Sequence, residues 1–152
     1  MSKAERIFQL AQEVVSSYDI LNARRAGSGN HYTREVIDHL KSLVIEEFGA
    51  GVANQFLSQK NRQSVDFWLE DEQTIAEVEF SMLSFSPVLE KEVFKALLAK
   101  DAGKDVRHLI LIGDPGSGER YQTPTPRSVM DWVERHYQIR VQIWELKEGD
   151  KP

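Results

Sequence analysis

Ser64 to Ser81 reads SVDFWLEDEQTIAEVEFS. Its halves, SVDFWLE and TIAEVEFS, both alternate apolar and polar residues, and the acidic turn EDEQ joins them, so the stretch predicts an antiparallel hairpin. A connection of two residues (Asp71, Glu72) or of four (Glu70 to Gln73) sets Asp66 opposite Glu77. Side chains alternate with period two, which puts Glu79 on the same face. Val65, Phe67 and Leu69 then meet Ala76, Val78 and Phe80 on the other face as core. A three-residue connection would instead pair Asp66 with Val78 and set an acid beside the apolar face. The acidic face is either a solvated sheet surface or a cation site. Directly opposed like charges cost a sheet about 0.2–1 kcal/mol. A hard divalent cation such as Mg²⁺ or Mn²⁺ reverses that sign, because it takes oxygen ligands. The same ion polarises a phosphoryl oxygen and lowers the pKa of a bound water, the main needs of phosphodiester hydrolysis.

Upstream of the hairpin, residues 4–23 carry the stripe Ile7, Leu10, Ala11, Val14 and Tyr18 of an amphipathic helix, which the glycines of RRAGSGNHY break. A second helix is expected from about Thr33 to Phe48, with Gly49 as its stop. GVANQFLSQ reads as a weak strand. Downstream, Ser86 and Pro87 suit the N-cap and first position of a helix through Leu98. DVRHLILIG is a buried strand, a Gly- and Pro-rich loop runs to Thr125, a helix follows from Thr125-Pro126, and QIRVQIWEL is a last strand. The tail KEGDKP is expected to fray. A meander followed by helical crossovers implies an α/β (α+β) fold with a mixed sheet and helices packed on it.

The 152 residues suit one domain, with 41% hydrophobic and 28% charged residues, as in ordinary globular chains. Absence of cysteine removes disulfides, thiolate metal sites and cysteine nucleophiles, and suits a cytoplasmic protein. No apolar run approaches the ~18 residues of a membrane span, and the N-terminus lacks a signal peptide's apolar region. With a net charge of −5, any nucleic-acid contact has to use local basic patches.

LILIGDPGSGER imitates a phosphate-binding loop after a strand. Gly113 and Gly118 fit the spacing, but Glu119 and Arg120 stand where the lysine and hydroxyl belong, and the glutamate would repel phosphate.

The hairpin, the helix after it and the strand HLILIG together resemble the PD-(D/E)XK nuclease superfamily of restriction endonucleases, resolvases and repair nucleases. Its shared core is a helix, a three-stranded meander, a helix and a further strand. The resemblance covers roughly residues 33–113, with 1–30 as an N-terminal helical extension and 114–152 as a further loop, helix and strand. It implies a restriction-endonuclease-like αβββαβ core, with Asp66 as the first acidic motif and Glu77 as the first acid of the triplet. Serine and valine precede Asp66 where the motif's name has proline, and Glu79 replaces the lysine. EVE is similar to the E-x-E variant of some type II restriction endonucleases, which implies Glu79 as metal ligand or base.

On this reading the metal ligands are Asp66, Glu77 and Glu79, binding Mg²⁺ or Mn²⁺. Lys95 reaches the scissile phosphate, as Lys91 also could. Glu35 supplies a further acid, although a first-turn glutamate is also favoured by the helix dipole alone. Lys60 and Arg62, with Arg24 and Arg25, are the phosphate-gripping candidates. Arg120, Gln122 and Arg127 are the candidates for groove edges. The expected partner is duplex DNA, cut on both strands most simply by a two-fold homodimer. The expected activity is that of a Mg²⁺-dependent DNA endonuclease. The alternatives are an inactive nuclease-fold module for nucleic-acid or protein binding, and a structural α/β protein without an active site.

Overall fold

The structure is a computed structural model that describes residues 1–18, 29–57, 64–80 and 87–147. Helix α1 (Lys3–Ser16) begins at a capping box in which Ser2 Oγ accepts from Glu5 N and Glu5 accepts from Ser2 N. Helix α2 (Gly29–Phe48) starts earlier than the glycines suggest, taking in Gly29 and Asn30. Strand β1 (Ala53–Phe56) is short, in keeping with its weak pattern. Strands β2 (Ser64–Leu69) and β3 (Thr74–Glu79) form the expected hairpin. Helix α3 (Val88–Asp101), strand β4 (His108–Gly113), a short helix α4 (Ser117–Arg120), helix α5 (Pro124–Tyr137) and strand β5 (Arg140–Glu145) complete the chain.

The sheet runs β1-β2-β3-β4-β5. β1, β2 and β3 are antiparallel neighbours, whereas β3, β4 and β5 are parallel, so the sheet is mixed. The crossovers that parallel pairing demands are α3 and α5. Helices cover both faces. On one, Ile7, Leu10, Val36 and Leu40 pack with Phe67, Val78 and Ile112. On the other, Leu89, Val93, Ala96 and Val133 pack with Trp68, Ile75, Leu109 and Leu111. Alternation along each strand feeds these two cores.

The hairpin register is set by its turn. Phe67 faces Ala76, Trp68 faces Ile75 and Leu69 faces Thr74, across the four residues Glu70 to Gln73, with Gln73 left-handed at φ 52°. That is the register with Asp66 level with Glu77. The acidic turn also secures the first helix. Glu72 accepts the backbone N–H groups of Lys3 and Ala4, which sets a negative charge at the positive end of α1. Lys3 pairs with Asp71 at 2.9 Å.

Three expectations differ from the structure. Val65 does not join Phe67 and Leu69; it is buried with Leu57 and Trp68 in the second core, at the end of β2 that has left β3. The Gly- and Pro-rich segment is not a plain loop: α4 forms within it, anchored by buried Ser117 and Tyr121, and α5 starts two residues early, at Pro124. Helix α3 has Pro87 at its N-cap without a side-chain bond, and Ser86 lies outside the described residues. Residues 19–23 of the expected first helix and most of the tail also lie outside them.

Candidate metal centre

The backbone ladder between β2 and β3 ends at Phe67 and Ala76. Beyond it, two carboxylates take over the hydrogen bonding. Asp66 N donates to Glu77 Oε2 at 3.3 Å, and Val78 N donates to Asp66 Oδ2 at 2.9 Å. The parting of the strands therefore opens at the two acids.

The face that Glu77 occupies is not solvated, because α3 covers it. Glu77 is 2% exposed. Its Oε1 lies 3.1 Å from Lys95 Nζ, which also lies 2.8 Å from Glu92 Oε2 and donates to Ser64 O. Glu92 is fully buried on α3, and the exposed Lys91 approaches its other oxygen at 3.6 Å. Glu77, Glu79 and Glu92 each offer an oxygen within 4.8 Å of the others'. Asp66 is not one of this converging three. Its Oδ1 is 3.0 Å from Lys41 Nζ, on α2.

Electrostatics follow from this crowding. Burial first, then the Asp66 and Glu92 charges, push the Glu77 carboxyl well above its ordinary range, and Lys95 only partly opposes them. Burial, followed by the Glu92 carboxyl beside it, lifts Glu79 to about 8. Burial works against the Lys95 ammonium, but Glu77 and Glu92 outweigh it and raise Lys95 to about 12.

The donor set suits a hard divalent ion. All candidate ligands are carboxylate oxygens, the type Mg²⁺ and Mn²⁺ prefer. Asp66, Glu77, Glu79 and Glu92 are faced at ion-pair distance by two largely buried ammoniums, Lys41 and Lys95. The exposed Lys91 is a third ammonium within ion-pair distance, 3.6 Å from Glu92.

The structure thus brings Glu77, Glu79 and Lys95 together, keeps Asp66 adjacent, and adds Glu92 and Lys41, which sequence reasoning missed. Glu92 left a signal: it falls between Leu89 and Ala96 at helical spacing, inside the buried stripe of α3, with Lys95 one turn on. Lys41 left none, since its partner is on another element. Glu35 is exposed on α2 and lies outside the converging carboxylates. Arg127 is exposed and paired with Asp131 at 3.2 Å, Arg120 is half-buried at the end of α4, and Gln122 is exposed. Arg24, Arg25, Lys60 and Arg62 lie outside the described residues.

The segment that imitates a phosphate loop does gather an anion, but the protein's own. Glu145 Oε1 accepts from Gly116 N at 2.8 Å and Gly118 N at 3.0 Å.

No family model, no curated protein and no solved structure matches the chain. Among the described residues, no helix is long and apolar enough to cross a membrane.

Proposed function

We propose that the chain is a Mg²⁺- or Mn²⁺-dependent DNA endonuclease. The observation that carries this reading is the convergence of the Glu77, Glu79 and Glu92 carboxylates, each with an oxygen within 4.8 Å of the others', beside Asp66 where β2 and β3 part. The order of elements from α2 to β4, with the acids on the second and third strands, also supports it.

Glu77, Glu79 and Glu92 would hold the ion. When bound, the ion would supply Lewis acidity at a phosphoryl oxygen and lower the pKa of a water. Glu79, the least buried of the three, would serve as a ligand or help to deprotonate the water. Lys95 stays charged at any working pH and offsets part of the repulsion between Glu77 and Glu92. Asp66 stands at the open edge, its side chain 19% exposed, where a substrate can approach.

The direct test is nicking of supercoiled plasmid in Mg²⁺ by the wild type and by Glu77→Gln. Nicking by the wild type alone supports the reading. A wild type that does not nick, or a variant that nicks equally well, contradicts it. A second reading, a non-catalytic nucleic-acid or protein-binding module, draws on Asp66 having both oxygens engaged, one by Lys41 and one by Val78 N.

A further inference from the structure

Strand β5 ends the sheet order, so among the described residues one of its edges faces no strand. Arg140 N donates to Arg107 O and Leu146 N to Gly113 O, which turns the even-numbered positions toward β4. The backbone N–H and C=O groups of Val141, Ile143 and Glu145 therefore point outward. Among the described residues none of them has a hydrogen-bond partner. Proteins blunt such edges with short strands, prolines, lysines or bulges, since an open edge recruits another strand. The opposite edge is blunted: β1 is four residues long, and Asn54 within it is left-handed at φ 53°. Strand β5 runs for six residues, RVQIWE, with none of these devices and no positive φ.

We propose that β5 is the interface of a two-fold dimer, in which the β5 of a second copy lies antiparallel against it. The strand is self-complementary. Pairing about Ile143, with Ile143 opposite itself and Val141 opposite Glu145, gives every outward backbone group of both strands a partner. The strand starts at Arg140 and ends at Glu145, so antiparallel pairing sets each basic end beside the other's acidic end. Ile143, half-buried against the second core, lies on the axis and completes its burial on its own copy. Joining β5 to the β1 of another copy would repeat without closing, and the left-handed Asn54 opposes it. Two-fold pairing instead covers the regular edge and stops at two chains. This interface goes beyond the metal reading and does not depend on it.

Sedimentation velocity from low-micromolar to near-millimolar protein, joined to single-cysteine trapping, tests the interface. The wild type is expected to dimerise as concentration rises. Ile143→Pro removes an outward N–H without touching the ladder to β4, and is expected to weaken the dimer at least about tenfold, since both copies lose a hydrogen bond. The chain has no cysteine, so one introduced thiol reports one position. Directly opposed hydrogen-bonded residues have Cα atoms about 5.5 Å apart, within reach of a disulfide. Under mild oxidation Ile143→Cys is expected to form a covalent dimer. Gln142→Cys, which faces Trp144 of the second copy, is not. The two cysteine variants decide the matter if Ile143→Pro does not fold. A wild type that stays monomeric throughout leaves the edge to a strand of a different protein and overturns the dimer. An Ile143→Pro variant that dimerises as tightly as the wild type, or coupling through Gln142→Cys and not through Ile143→Cys, overturns it as well.

Discussion

Asp66 and Glu77 hold each other's strands: the Glu77 carboxylate accepts the N–H of Asp66 on β2, and the Asp66 carboxylate accepts the N–H of Val78 on β3. Side chains here do what carbonyls do elsewhere in the ladder. Glu77, one of the three converging glutamates, is therefore also part of the last clasp of the hairpin, and its substitution acts on stability as well as on the site.

Asp66→Ala should cost about 1–3 kcal/mol, because it orphans the Val78 N–H and leaves Lys41 without its carboxylate. Asp66→Asn keeps an acceptor for Val78 and should cost less. Urea unfolding of both variants without divalent ions measures this. Equal and negligible losses would mean that the strands do not depend on the clasp.

The pH dependence follows from the raised carboxyls. Between the ordinary 4.5 and the elevated values of Glu77 and Glu79, the folded protein holds protons that the unfolded chain has released. Stability contributed by these groups is therefore present at low pH and lost as pH rises through 4.5 toward about 8. Thermal unfolding in a chelator should show the midpoint falling over that window. Saturating Mg²⁺ should flatten the fall, since bound metal replaces those protons. A midpoint that rises with pH across the window in chelator would contradict the crowding of the acids.

Lys95→Met leaves Glu77 and Glu92 buried without their shared counter-ion. Removing one member of a buried pair costs about 3–5 kcal/mol. Denaturant unfolding should show a loss on that scale, partly recovered by Mn²⁺. A loss below about 1 kcal/mol would place the pair in the class of surface ion pairs.

Much of the hairpin was legible because local pattern and local geometry agree along it. The alternation of Phe67, Leu69, Ala76 and Val78 marks the strands, and the four-residue turn sets the register that makes Asp66 and Glu77 neighbours. What the sequence concealed depends on packing between distant elements. Whether Glu77 faces water or α3 is decided by how the crossover helix lies on the sheet, and the same packing delivers Glu92. The Lys41–Asp66 pair joins α2 to β2, across β1 and the segment after it. Composition misled at Ser117–Arg120, where glycines and prolines suggested loop although burial of Ser117 and Tyr121 supports a helical turn.

The proposed metal centre depends on Glu92, which no motif supplies, so calorimetric titration of Mn²⁺ into wild type and Glu92→Gln tests it most directly. Expected is saturable binding near one ion per chain in the wild type, weakened at least about tenfold in the variant, the equivalent of about 1.4 kcal/mol, with circular dichroism unchanged. Equal binding by both proteins, or none by the wild type, would contradict a cation site built from Glu77, Glu79 and Glu92.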